Sequence, residues 1–440
     1  MVVTERARRA LVVPDEATWT MAGHDPAGLG LTPVAGAEAA EVLLASSEVP
    51  EPLASFVAGE LARSPGLQVV GGMVDLPLRG RLLGDVVGGS PAAQGEDPHA
   101  GHDMHGGHDM HGGHDMMAIV GEPSADGLVM EPIDFRFGPV TGVLPGGLAI
   151  EVSLDGDVVA SARVRALLRG GVDGPRDQPD LLTPIAWQVA VAVAAERSEG
   201  AAPPARLQWE RVAAVEIERS LSHLAWLRSL SRSLGWAQLV ALAQRAIIAV
   251  APHAGLPAPP EGGASLAAAE AAVTRVRRLV EGRRFAARTR GRGVNADGAL
   301  AGPNARAAAL GVDTREEDPL YRELGFKAVI EEAGDARARS LARIFEAQAS
   351  LGLARLALER ARSAAGAGTL EAFATGGVAC VEGPRGPLLA VPGAPGGAAR
   401  FAAPGTEAAR TAAGAAMVGL EWSAALVVAT SFDLSPWVVA

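Results

Sequence analysis

A helical pattern of 26 residues at 209–234, WERVAAVEIERSLSHLAWLRSLSRSL, limits this chain to folds built around a long helix. Apolar residues recur there at three- and four-residue spacing, and Gly235 follows where the helix can end. Two other stretches, 117–165 and 373–404, carry strand patterns, and the first includes an Asp-Gly hairpin signal. Further helices are predicted at 236–251, 264–281, 335–365 and 405–417. The predicted fold class is α+β, a helical core with small antiparallel sheets.

Residues 1–85 are predicted to form a separate small α/β unit. Strand signals at 41–45 and 67–70 flank a helix that ends near Arg63. Such a unit favours a right-handed parallel crossover. One unit of this size is too small to stand alone, so we expect it to pack on the remainder of the chain or on a partner.

Residues 86–116 form a low-complexity tract for which a flexible loop is predicted. Histidines recur there at every third residue, with aspartate and methionine between them. Imidazole suits nickel, zinc and copper(II), and thioether suits copper(I), so storage, sensing or delivery of a metal would fit. The competing interpretation is an expanded repeat that tolerates metal without using it. The candidate ligands are His99, His102, His105, His108, His111 and His114.

Composition excludes several classes of function. The net charge of −11 argues against nucleic acid as a partner. A single cysteine, Cys380, excludes a disulfide framework, an all-protein iron–sulfur cluster and a cysteine-rich zinc site. The apolar runs are too short or interrupted to cross a membrane, since the longest, 411–430, carries Glu421. A cytoplasmic, soluble chain is expected.

Four stretches, taken in order, carry a family resemblance. They are Gly138-Pro139 followed after eight residues by LAIEVSLDGD, the helical segment ERSLSHLAWL at 218–227, residues 290–326 with GPNARAAALGVDTR, and VEGPRGPLL at 381–389 with the ending SFDLSPWVVA. Together they resemble the D subunits of NADH–quinone oxidoreductase, the 49-kDa type of complex I, and the related large subunits of membrane-bound nickel–iron hydrogenases. The resemblance implies the large-subunit fold for residues 117–440.

This sequence departs from the family pattern at the positions that hold the quinone in the family. The resemblance implies a headgroup held by a loop histidine and a helix tyrosine, with an aspartate paired to the histidine. Here the two loop histidines of the family fall on Thr141 and Pro145, the tyrosine on Leu181 and the aspartate on Ser233. The donors that would stabilise a reduced quinone are thus missing together. We therefore predict no catalytic and no cofactor-binding residue in this chain.

The ligands of a hydrogenase metal centre are missing as well. A nickel–iron centre needs four thiolates, and the C-terminal pair would fall on Ser435 and Val438. The other pair lies in a segment shortened here between Arg169 and Asp180. The N-terminal α/β unit is faintly similar to the small, cluster-bearing partner subunit of these complexes, through VLLASSEVPEPL, but it has no cysteine for a cluster.

Three isolated residues have simple interpretations. His223, inside the Ser-His-Leu motif, is predicted to be a packed structural histidine. Arg169 is predicted to be a solvated charge, with a position facing a partner's cluster as the alternative. Cys380, in an apolar strand, is predicted to be buried and inert.

Three functions remain open from the sequence. The first is a structural subunit without its own metal centre in a membrane-associated complex I-like or hydrogenase-like assembly. It would contact a small iron–sulfur subunit and membrane-arm subunits from the inner face of the membrane. The second is a divergent D subunit of NADH–quinone oxidoreductase that still contributes to quinone binding. The third is a nickel-, zinc- or copper-binding protein that acts through its histidine tract.

Overall fold

The fold is taken from a computed structural model of the chain. It describes residues 8–23, 26–27, 30–34, 37–45, 52–64, 66–71, 132–170, 182–200, 203–254, 265–295, 298–311, 313–364, 377–391 and 400–439. The six histidines of the tract, Leu181 and Asp180 lie outside the described residues.

The N-terminal unit, residues 8–71, is a parallel four-stranded sheet with two helices. Its elements are β1 (Arg8–Val13), α1 (Glu16–Met21), β2 (Leu31–Val34), β3 (Val42–Ala45), α2 (Leu53–Arg63) and β4 (Gln68–Gly71), and the strand order is β2-β1-β3-β4. The predicted crossover β3-α2-β4 is confirmed, with both strands parallel. The sequence did not predict β1 or β2. β1 ends in a continuous apolar run, ALVV, as expected for a parallel strand covered on both faces.

An antiparallel three-stranded sheet follows. It consists of β5 (Ile133–Phe137), β6 (Leu148–Asp155) and β7 (Val158–Ala166), in that spatial order. The predicted hairpin is confirmed: Asp155 pairs with Val158 across the turn, and Gly156 adopts a φ of 62°.

The centre of the molecule is helical, as predicted. The helices described after this sheet are α3 (Pro184–Glu199), α4 (Ala205–Ser233), α5 (Ala237–Val250), α6 (Leu266–Glu281), α7 (Arg283–Thr289), α8 (Gly302–Arg306), α9 (Pro319–Glu323), α10 (Ala336–Ser363), α11 (Thr406–Met417) and α12 (Trp422–Ser431). The main core lies around α4 and α10, where Ile217, Leu221 and Leu224 pack with Ile344 and Leu351. α4 is buried on almost every side, including charged residues such as Arg219. The polar residues of α4 therefore face the interior of the protein. In an amphipathic surface helix they would face solvent instead.

Two small sheets complete the α+β architecture. β9 (Ala379–Gly383), β10 (Gly386–Val391) and β11 (Arg400–Ala402) form one, and β8 (Leu168–Gly170) pairs in parallel with β12 (Trp437–Val439) in the other. The predicted α+β class is confirmed.

The prediction that Cys380 is buried is wrong. Successive residues of β9 point to opposite faces, and Ala379 takes the buried one while Cys380 is exposed. Surrounding protein nevertheless desolvates the thiol and, with the charge of Glu382, raises its pKa.

In the part of the chain that the structure describes, no helix has both the length and the apolarity needed to cross a membrane.

Candidate functional site

The loop at 138–147, between β5 and β6, meets the N-terminal unit, and we call this contact the junction. Thr141 shapes the loop, because its Oγ1 accepts a hydrogen bond from the Leu144 backbone nitrogen at 2.9 Å. Gly146 lies directly against the end of β1: a Cβ at this position would come within 1.9 Å of the Pro14 carbonyl oxygen. Only glycine fits so close a backbone approach.

Asp15 fastens the N-terminal unit to this loop. One carboxylate oxygen accepts from the Thr18 backbone nitrogen at 2.9 Å and caps α1. The other accepts from the Gly146 backbone nitrogen, also at 2.9 Å, and from the Thr18 hydroxyl at 2.8 Å. Burial raises the pKa of Asp15, while these three hydrogen bonds act in the opposite direction. A buried carboxylate thus joins two segments that lie far apart in sequence.

Ion pairs between α1 and α4 add to the junction. Glu16 pairs with Arg228 at 3.2 Å and also contacts Arg232. Arg228 is almost fully buried and donates a second bond to the Thr20 hydroxyl at 3.2 Å. Because breaking a buried charge pair leaves one charge uncompensated, these contacts hold α1 firmly on α4.

The opposite wall of the junction is an arginine–aspartate pair near the C-terminus. Arg385, in the turn between β9 and β10, donates to Asp433 at 2.8 Å. Arg343 of α10 lies 3.7 Å from the other oxygen of Asp433. Burial lowers the pKa of Arg343 to about 10, so it remains charged at neutral pH. The carboxylate of Asp433 is therefore shared by two arginines.

The junction encloses a cavity of only 40 Å³. Its lining includes Asp15, Val140, Pro145, Arg385 and Asp433. One water molecule needs about 10–15 Å³ of such volume, so the cavity has room for about three waters. A quinone headgroup does not fit without movement of the walls.

The structure brings together only some of the positions that correspond to the quinone anchors of the family. Thr141 and Pro145 lie in the junction loop. Ser233 lies in the last turn of α4, where its hydroxyl donates to the Leu230 carbonyl at 2.8 Å. Of the three, only Pro145 lines the cavity, and proline has no proton donor.

The C-terminal positions have structural contacts. The Ser435 hydroxyl accepts from the Trp437 backbone nitrogen at 3.2 Å. Val438 is opposite Arg169 in the β8–β12 pair, and the Arg169 side chain is exposed, as predicted for a solvated charge. Over the described residues, no group of three or more His, Cys, Asp or Glu side chains is placed to hold a metal ion.

Sequence reasoning missed an ionic core in the middle of the molecule. Glu346 of α10 is its centre: one oxygen accepts from Arg306 Nε and Nη2 at 3.0 and 2.8 Å, and the other faces His223 Nε2 at 3.1 Å. Arg306 also donates to Glu382 of β9 at 2.9 Å. Each of these side chains is almost completely buried.

The ionic core extends from Glu346 through Arg315. This arginine donates to Asp313 at 2.6 Å and to Glu216 at 3.1 Å. Glu216 also accepts from the Tyr321 hydroxyl at 2.8 Å. Although burial alone would raise the pKa of Glu216, the charges of Arg219 and Arg315 hold it below its usual range.

His223 is neutral in this environment. Burial lowers its pKa to about 4, despite the opposing influence of Glu346. Its interpretation as a packed structural histidine is confirmed.

The family-like stretches meet in this core. Its members from those stretches are Arg219, His223, Arg306, Asp313, Arg315, Tyr321 and Glu382. The signal in the sequence was therefore the motifs themselves, whose charged residues pair with one another across the fold. What these motifs build here is a buried, internally compensated scaffold.

Comparisons with known proteins agree with the predicted resemblance. Residues 264–373 match the family model described as respiratory-chain NADH dehydrogenase, 49 Kd subunit. The chain is 27% identical over 283 residues to the D 2 subunit of NADH-quinone oxidoreductase from Sinorhizobium medicae (strain WSM419), covering 54% of this chain and 70% of the relative. The protein of the same name from Rhizobium meliloti (strain 1021) matches with the same identity and coverage.

A solved structure shows the same fold. A chain of the membrane-bound sulfane sulfur reductase (MBS), an archaeal respiratory membrane complex, superimposes with a TM-score of 0.53 at 20% sequence identity. The match covers 69% of this chain and 97% of that chain. The resemblance to the 49-kDa subunit type, and the fold that it implies, are confirmed.

Proposed function

We propose that this relative of the 49-kDa subunits is a structural subunit of a membrane-associated, complex I-like redox assembly, without a metal or quinone site of its own. The observation that carries the proposal is the closed junction. The 40 Å³ cavity lies beside the loop at 138–147, where the resemblance implies the quinone headgroup. The chain's own N-terminal unit fills the space next to this loop.

The contacts at the junction support a permanent closure. Asp15 joins the N-terminal unit to Gly146, and Glu16 joins it to the buried Arg228. Both contacts leave a buried polar group without its partner when the unit moves away, which costs about 1–3 kcal/mol for each neutral group and more for a charged one. Opening the cavity to admit a headgroup would require breaking several of them at once.

The ionic core supports a scaffolding role. Its carboxylates and arginines bind one another, and these contacts hold α4, α8, α10 and β9 together. In this proposal the chain contributes shape and binding surfaces to the assembly, and electron transfer takes place on other subunits. Its partners would be membrane-arm subunits and a small iron–sulfur protein, on the inner face of the membrane.

Affinity purification of the tagged chain from gently solubilised membranes tests this proposal. We expect it to recover membrane-arm subunits and an iron–sulfur absorption spectrum, whereas the chain produced alone is colourless and free of iron. Recovery of the chain alone, carrying nickel, zinc or copper, would instead favour the histidine tract as the functional element. An iron–sulfur spectrum from the isolated chain would contradict the absence of an intrinsic centre.

A further inference from the structure

A cluster of exposed arginines lies on α7 and in the turn that follows it, and we call it the basic surface. Residues 282–296 contain five arginines and no acidic residue, in a chain whose net charge is −11. The exposed members, which define the basic surface, are Arg283, Arg284, Arg288 and Arg290. Because α7 has only seven residues and rises about 1.5 Å per residue, these charges lie close together. Nothing in the proposed structural role uses them.

Packing of α7 turns its arginines outward. Phe285 and Thr289, four residues apart, are completely buried and fix one side of this short helix to the protein. The arginines of the same helix therefore face solvent. Arg288 lies over the ring of Trp236, with its guanidinium carbon 5.6 Å from the ring centroid.

The charges of the basic surface are not compensated by the part of the chain that the structure describes. The side chains of its three other arginines form no ion pair and no hydrogen bond with any described residue. Two neighbouring carboxylates are engaged elsewhere: Glu281 pairs with Arg277 at 3.1 Å, and Asp335 accepts from the Gly291 backbone nitrogen at 2.6 Å. Salt screens charges beyond about 8 Å at physiological ionic strength, so the acidic groups farther away do not cancel this local positive charge.

The arrangement favours a broad anionic surface as the binding partner. Recognition of individual carboxylates on a folded protein is strongest when the guanidinium groups are held in a fixed geometry, and three of these four are held by no side-chain contact. Single-stranded nucleic acid stacks on exposed aromatic rings, whereas the one aromatic residue of 282–296, Phe285, is buried. Val294, four residues after Arg290, is 61% exposed and offers an apolar side chain to a headgroup layer.

We propose that the basic surface binds the anionic headgroups of a phospholipid membrane directly. The arginines attract lipid phosphates without fixed pairing, and Val294 adds a shallow apolar contact. One basic residue near such a membrane strengthens binding about fivefold. This inference concerns the chain by itself, so it holds or fails whether or not the chain assembles with membrane subunits.

Flotation of the full-length chain with lipid vesicles tests the proposal. The probe is a phosphatidylcholine vesicle that contains about 30% phosphatidylglycerol, and the control is a vesicle of phosphatidylcholine alone. The chain should float with the anionic vesicle only. Raising the salt from about 0.1 M to about 1 M, which shortens the screening length from about 10 Å to about 3 Å, should release it. Inorganic phosphate at matched ionic strength should not release it, because the arginines form no single phosphate pocket.

Two sets of substitutions at the basic surface separate charge from specific geometry. Arg283→Gln/Arg284→Gln/Arg290→Gln should weaken binding to the anionic vesicle about 100-fold, at about fivefold for each charge. The same three positions replaced by lysine should retain binding. Attraction to lipid needs the charge, whereas a fixed carboxylate partner needs the guanidinium fork.

The matched control removes the same charge elsewhere. Arg136→Gln/Arg163→Gln/Arg400→Gln affects exposed positions on β5, β7 and β11 and should change binding less than about threefold. The proposal would be overturned by absence of flotation, by equal flotation with neutral vesicles, by release with inorganic phosphate, by equal losses in the two glutamine variants, or by loss of binding in the lysine variant. Retention of the chain on a polyglutamate resin without flotation would assign the basic surface to an acidic protein instead.

Discussion

Replacing Asp15 with alanine tests whether the N-terminal unit is held at the junction. The substitution removes the cap of α1, worth about 1 kcal/mol. It also leaves the buried Gly146 N–H without its acceptor at 2.9 Å, which costs about 1–3 kcal/mol. These two losses together should make the N-terminal unit less stable by about 2–4 kcal/mol.

Native-state hydrogen exchange of the full chain measures this loss directly. The amides of Leu11 and Val13 in β1 should exchange roughly 30- to 700-fold faster in the variant, since each 1.4 kcal/mol corresponds to a factor of ten. The matched control is Ser265→Ala, which removes an exposed cap of α6 and makes no contact with the junction. This control should leave the exchange rates of the β1 amides unchanged. Equal exchange of β1 in wild type and Asp15→Ala would refute the reasoning.

Three further predictions concern the ionic core and the histidine tract. Glu346→Gln should destabilise the protein by about 1.5–3 kcal/mol in urea unfolding, because Arg306 loses one of its buried counter-charges and keeps Glu382 and Asp313. Glu359→Gln, in an exposed pair on the same helix, should cost under about 0.5 kcal/mol; a similar loss in both would contradict the core. The folded-state pKa of His223 lies near 4, below its ordinary value, so the contribution of this group to stability should fall by about 3 kcal/mol as pH drops from 6.5 to 4. His223→Gln should remove one proton from the slope of stability against pH, and an unchanged slope would mean that the histidine is already charged. Replacing the six tract histidines with alanine should abolish nickel binding in calorimetry of the whole chain, and retained binding would place the metal elsewhere.

Local pattern predicted most of the regular elements correctly. The spacing of apolar residues along α4 and α10 and the Asp-Gly turn at 155–156 are signals that short segments carry by themselves. β1 was missed because a short apolar run has no period of its own, and only pairing with β2 and β3 makes it a strand. The exposure of Cys380 was missed for a related reason: alternation defines two faces of a strand but not which of them is covered.

The ionic core could not be predicted from sequence, since its pairs join residues far apart. Arg306 and Glu382 are separated by 76 positions and Glu216 and Tyr321 by 105, with no local spacing to link them. The same holds for the junction, where Asp15 and Gly146 are 131 positions apart. What the sequence did provide was the family resemblance, and hence the set of motifs that meet there.

Labelling with a photoreactive short-chain quinone tests the central claim most directly. The reagent is applied to the assembly recovered from membranes, with a purified NADH–quinone oxidoreductase as the positive control, and peptides covering residues 138–147 and Arg385 are quantified. A closed junction predicts labelling at background level, which excess unlabelled quinone does not reduce. Labelling of these residues that unlabelled quinone competes away would show that the junction opens to admit a headgroup, and would contradict a purely structural role.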